Sequence, residues 1–155
     1  MEFRMRNHQL TKSEIGEFLS KAPIGRLATH NLNGFPYVVP VHFIYQDDKI
    51  YVHGLNKGQK LDNIKRNPKV CFEADEMIGL LLSDCPCDVN TEYNSVVALG
   101  TARLIEDSAE KTRVLEQIIA KYTPQLSNRE LPPEMVNATA IIEVTMVECT
   151  GKYYQ

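Results

Sequence analysis

The sequence predicts a mainly β protein with peripheral helices, a closed or split antiparallel barrel of six or seven strands in a single domain spanning residues 1–155. Three observations lead there. Segments in which successive side chains alternate between two faces recur at hairpin spacing. Short turn signals separate them, Asn33-Gly34 being the strongest. Regular strand–helix–strand alternation is missing, which argues against a doubly wound parallel sheet.

Taken in order, residues 1–10 are polar and basic, with Arg4, Arg6 and His8, and read as an N-terminal arm. Thr11-Lys12-Ser13-Glu14 is a capping box, with Ile15, Phe18 and Leu19 following at helical spacing until Pro23 closes the helix. Residues 24–30 and 37–45 form two strands around the Asn33-Gly34 turn. In the second, Tyr37, Val39, Val41, Phe43 and Tyr45 alternate with Val38, Pro40, His42 and Ile44, so both faces are largely apolar and are expected to be covered. Pro40 cannot donate to a central ladder and marks a bulge or an open edge. After Asp47-Asp48 a strand begins at Ile50. Residues 70–82 form another, followed by a long loop to Glu92 and a strand over 93–105, where Ala98, Gly100 and Ala102 leave room for a close neighbour. Ser108 caps a helix striped by Val114, Leu115, Ile118, Ile119 and Tyr122. Pro124 and Pro132-Pro133 delimit a connector, and residues 139–149 are the last strand, ending in Thr150-Gly151-Lys152.

Residues 50–68, IYVHGLNKGQKLDNIKRNP, carry the chemistry. Ile50 and Val52 share one strand face, Tyr51 and His53 the other. The chain breaks at Gly54, turns through Leu55-Asn56-Lys57-Gly58 and enters a helix near Gln59 that Pro68 limits. Free N–H groups at a helix start, with Lys60 beside them, suit an anion such as phosphate; the plain alternative is a connector. It is not an ATP-type P-loop. Gly54 and Gly58 are one residue too close, and Leu61 stands where a Mg²⁺-binding hydroxyl belongs.

Composition narrows the function classes. The net charge of −3 argues against nucleic acid or an anionic membrane as the main partner. No apolar run reaches membrane-spanning length and MEFRMRNHQL lacks a signal-peptide core, so the expected location is cytoplasmic. Cys85-Pro86-Cys87 without a second close Cys/His pair is incomplete for zinc, so the cysteines read as reduced thiols and no metal is expected.

Several stretches together resemble the FMN-binding split-barrel superfamily of the pyridoxamine 5′-phosphate oxidase type, nearest to its nitroimidazole-resistance-like branch. They are Gly25-Arg26-Leu27-Ala28-Thr29, Pro36-Tyr37-Val38-Val39-Pro40-Val41, residues 50–68, residues 95–107 and Thr150-Gly151-Lys152, in order along most of the chain. The resemblance implies a homodimer of split barrels with FMN at the subunit interface. It places the phosphate by Gly54, Gly58, Gln59 and Lys60, and the flavin ring along Arg26, Leu27, Ala28, Thr29, Val39, Pro40, Val41 and His42. The fuller basic phosphate set and the C-terminal substrate signature of the pyridoxamine-phosphate oxidases themselves are missing, so vitamin B6 oxidation is not expected.

Within that frame Lys60 is the expected phosphate ligand. Arg26 on an apolar strand needs an anion, either the FMN phosphate or an internal carboxylate. His53 is the expected catalytic residue, a cofactor contact or proton donor. Lys57, Lys65 and Arg66 read as solvated charges. The implied activity is an oxidoreductase passing electrons from a small-molecule donor to a nitro-aromatic or similar acceptor; the alternative is a non-catalytic flavin or haem carrier or sensor.

Overall fold

The computed structural model describes residues 7–155, so Arg4, Arg6 and most of the expected N-terminal arm lie outside the described residues. The arm's end is held: the Leu10 N–H donates to the Gly151 carbonyl at 3.0 Å, and Tyr153 N–H to His8 carbonyl at 3.0 Å. The Thr11 side chain accepts from Glu14 N–H while the Glu14 carboxylate takes Thr11 N–H at 2.7 Å, completing the capping box that starts α1 (Lys12–Lys21).

The strands are β1 (Gly25–His30), β2 (Pro36–Val41), β3 (Phe43–Gln46), β4 (Lys49–Leu55), β5 (Lys69–Leu81), β6 (Asn90–Ile105) and β7 (Thr139–Tyr154), with helices α2 (Gln59–Arg66), α3 (Ser108–Tyr122) and α4 (Pro133–Ala138) between them. All seven strands form one antiparallel sheet in the order β2-β1-β5-β6-β7-β4-β3. Its two edges, β2 and β3, are consecutive in sequence and joined by His42 alone. The sheet therefore curls until its ends meet at that residue. The rings of Phe43 on β3 and Phe72 on β5, four places apart in the sheet, sit 4.7 Å apart across the interior. This is a split barrel, as expected. Pro40 lies on an edge strand, where a residue without an N–H donor is tolerated.

The interior is filled by alternate residues of each strand, Leu27, Val52, Phe72, Ala98 and Val144 among them. Ile15, Phe18 and Leu19 of α1 and Leu61 and Ile64 of α2 pack onto the same cluster. A second cluster, Ile44, Tyr51, Ile105, Val114, Ile118 and Ile141, lies under α3 on the outer face of the sheet. Tyr51 thus faces opposite to Ile50 and Val52, as the period-two reading of β4 requires.

Several sequence expectations are corrected. The strand expected over 37–45 is broken at His42, because there the chain leaves one sheet edge for the other. Over β2 the outer face is not covered, Val38 being 54% exposed, whereas Ile44 of β3 is buried under α3. The long loop after residue 82 is shorter than expected, since Leu81 already pairs with Asn90. Asp107, not Ser108, caps α3, its carboxylate accepting from Glu110 N–H at 2.8 Å. The connector after Pro132 contains α4, begun by a proline at its first position. Cross-strand pairing with β6 carries β7 to Tyr154. Ala98 and Ala102 face the core, and the close neighbour of Gly100 is β7 of the same chain, where an added Cβ would meet the Thr145 carbonyl oxygen at 2.6 Å.

Candidate functional site

A cleft of about 400 Å³ opens at the seam between the two sheet edges, lined by Ile24, Pro40, Val41, His42, His53 and Lys60. Five of the expected site residues are therefore brought together from three elements: the end of β2 and its link, β4, and the first turn of α2. Chain geometry explains the convergence. β4 ends next to α2, and β4 neighbours β3, which His42 connects to β2.

On the α2 side, Gly58 is the N-cap residue with φ 137°, a conformation that side chains rarely adopt, and no side chain caps the helix. The first N–H groups of α2 are left for another acceptor. Lys60 folds back over β4, with its Nζ 3.1 Å from where a Cβ on Gly54 would stand. Among the described residues no carboxylate pairs with this ammonium. A free ammonium beside an uncapped helix start is an arrangement for an anion.

What anchors α2 is a network that sequence reading missed. Asn63, fully buried, donates to Thr29 Oγ1 at 3.0 Å and Asn31 Oδ1 at 2.9 Å. Its own oxygen accepts from Gln59 Nε2 at 2.8 Å and from Arg66. Arg66 is thus part of the anchor rather than a solvated charge. The one sequence signal was a polar residue flanked on the apolar helix face by Leu61 and Ile64.

His53 is half-buried, and its Nδ1 is buried with no hydrogen-bond partner among the described residues. Burial pushes its pKa below the usual histidine value, and the neighbouring His42 and Lys60 side chains push in the same direction. Both effects favour the neutral imidazole. An orphaned polar atom at a cleft costs stability unless a ligand satisfies it. His42 lies with its ring centroid 6.4 Å from that of His53 and stacks on the Tyr122 ring at 4.3 Å and 21°.

The remaining expected residues stand elsewhere. Arg26 is not buried; its guanidinium bonds Glu73 at 2.8 Å and also Asp75, both on β5, so internal carboxylates are its partners. Leu27 is a core side chain that presents only backbone outward. Ala28 borders a separate apolar groove, and Thr29 is buried as the acceptor of Asn63. Val39 packs against the core beside the cleft, and Gln59 is engaged with Asn63. Ile24 and Tyr122 were not singled out in the sequence for this site. Both looked like ordinary apolar positions of their elements.

The family model described as pyridoxamine 5′-phosphate oxidase matches residues 11–153. A 5a,11a-dehydrotetracycline/5a,11a-dehydrooxytetracycline reductase of Streptomyces rimosus is 31% identical over 107 residues, 66% of this chain and 69% of that protein. A solved structure of a Bacteroides thetaiotaomicron protein named for 5-nitroimidazole antibiotic resistance is 27% identical, with TM-score 0.79 over 93% of this chain and 85% of that one. The flavocytochrome Anf3 of Azotobacter vinelandii shares the fold at 22% identity, with TM-score 0.88 over 100% of this chain and 72% of that one. With the family's match running across the whole barrel and both sides of its seam cleft, the chain belongs to the pyridoxamine 5′-phosphate oxidase family of flavin-binding split-barrel proteins.

Proposed function

We propose that this protein is an FMN-dependent oxidoreductase, working as a cytoplasmic homodimer, that reduces small acceptors of the nitro-aromatic kind. The observation that carries the reading is the convergence, in one cleft of a flavin-family barrel, of an uncapped helix start, an unpaired Lys60 and the unpartnered Nδ1 of His53. These groups fit a phosphorylated cofactor. Lys60 and the first N–H groups of α2 would hold the phosphate, while Pro40, Val41, His42 and His53 form the rest of the wall. FMN, when bound, supplies the hydride and electron chemistry that protein side chains lack. His53 then offers a hydrogen bond or proton at its ring nitrogens, and an anion in the cleft would draw its pKa back up.

The reductase name of the Streptomyces relative and the nitroimidazole-resistance name of the Bacteroides one support the choice of reaction and acceptor. For the dimer, the support is an uncovered apolar row on the outer face of the barrel. Val38 pairs with Ala28, Ala28 with Cys71 and Cys71 with Leu99, with Val147 79% exposed nearby. Among the described residues no helix covers that side, whereas α3 covers the opposite one. Patches of this kind mark interfaces.

The absorption spectrum of the purified protein, followed by NAD(P)H-driven turnover with nitro compounds and quinones, tests the reading. A flavin spectrum with turnover is expected. A haem spectrum, or bound flavin with no turnover on any donor, would replace it with the carrier reading. Light scattering at micromolar concentration is expected to give twice the mass of one chain, and a monomer with FMN bound would refute the dimer.

A further inference from the structure

The seam cleft is bordered by a residue that does not line it, Tyr122 at the end of α3. β3 is an open edge of the sheet, so the outward backbone groups of Phe43 have no strand to pair with. One phenol takes both: Phe43 N–H donates to Tyr122 Oη at 2.9 Å, and that hydroxyl donates to the Phe43 carbonyl at 3.0 Å. Lys121 Nζ adds a bond to the same carbonyl at 3.1 Å and one to Leu19 at 3.3 Å. The last turn of α3 thus stands in for a missing strand at the point where the barrel closes.

The same Tyr122 ring stacks face to face on His42, 4.3 Å away. His42 is exposed and sits on a link of one residue between two strands, and among the described residues its side chain has no hydrogen-bond partner to hold one rotamer. Its ring lines the cleft beside His53 and Lys60. We infer that Tyr122 is a positioning residue: it fixes the His42 imidazole as a ligand-contacting wall of the seam cleft, while its hydroxyl fixes the strand link that carries His42. The inference rests on the proposal that this cleft takes FMN. Holding a rotamer-rich side chain ready before binding is worth roughly threefold to tenfold in affinity.

A purely structural Tyr122 would fill space beneath α3 and nothing more, and a double-mutant cycle separates the two roles. FMN affinity is measured by fluorescence quenching in wild type, Tyr122→Leu, His42→Ala and the double variant. Each single change is expected to weaken binding about threefold to tenfold, and the double to be no worse than the weaker single. Losses that multiply, or an unchanged Tyr122→Leu, overturn the inference. A second measurement needs no ligand: the His42 ring protons of the free protein should resonate upfield through the stacked phenol. The shift should persist in Tyr122→Phe, which keeps the ring, and vanish in Tyr122→Leu. If Tyr122→Leu does not fold, the Tyr122→Phe spectrum decides. An unshifted His42 in wild type or Tyr122→Phe overturns the stack. Failure of wild type to bind FMN would refute the function above, while the ring shift would still judge the positioning role.

Discussion

The two walls of the cleft are held by opposite means. The α2 wall rests on Asn63, a fully buried amide whose two sides are both satisfied, by Thr29 and Asn31 on one and Gln59 and Arg66 on the other. The seam wall rests on an exposed link residue, His42, and a single phenol on α3. A buried, saturated polar network fixes one arrangement because every alternative strands a group. A stacked surface ring fixes one arrangement only weakly. One wall is thus locked by a saturated buried network and the other is held by one stacked ring and one phenol, with His53 between them.

The largest expected effect falls on that middle position. In both His53→Gln and His53→Ala, FMN still binds, while the acceptor half-reaction slows by roughly 10²–10⁴ and loses its pH dependence near neutrality. A Gln variant with wild-type rate and pH profile would make His53 a positioning residue, and the division into two walls would then be complete without a chemical centre.

Next comes the rigid wall. Asn63→Ala removes the partner of buried Thr29 and of Gln59 together, and is expected to cost about 2–3 kcal/mol in urea unfolding. A loss below about 0.5 kcal/mol would mean that Leu61 and Ile64 alone seat the helix. Lys60→Ala tests what that wall is for. It should weaken FMN about tenfold or more, as expected for a charge-assisted contact of roughly 1.5–3 kcal/mol, and leave riboflavin nearly untouched. Equal loss of both ligands would sink the phosphate assignment.

The smallest effect is a pH dependence of stability. His53 has its folded pKa lowered below the ordinary 6.5, chiefly by burial. The unfolded chain therefore binds the proton first, so this contribution is complete above pH 6.5 and is lost as the pH falls through the lower folded value. Ligand-free wild type should lose stability on acidification over that window by more than His53→Gln does. Parallel curves for the two proteins would place the imidazole in contact with water.

Much of this was legible in short-range pattern. Thr11 and Glu14 three residues apart make a capping box whatever surrounds them, and the alternation of Ile50, Tyr51, Val52 and His53 assigns their faces before any partner strand is known. Gly54, Gly58 and Lys60 suggested a turn into a helix start with a lysine beside it because the relevant atoms lie within seven residues, and α2 does start uncapped at Gly58 with the Lys60 ammonium over Gly54. Pro40 announced a bulge or an open edge because proline cannot donate, and its strand is an edge.

Neighbours within about one turn or one hairpin were thus enough to give most strand segments, the barrel class, the capping box and the opposite facing of Tyr51 to Ile50 and Val52. It took the assembled sheet to show that β2 and β3 are the two ends of one curled sheet meeting at His42, and that Arg26 faces Glu73 and Asp75. It alone brought Asn63 to Thr29 across 34 residues and Tyr122 to Phe43 across 79. The physical reason is that a side chain's type and spacing prescribe its local geometry, whereas its partner across the fold depends on how the whole sheet closes. A tyrosine in an apolar helical stripe reads the same whether its hydroxyl meets water or replaces a missing strand.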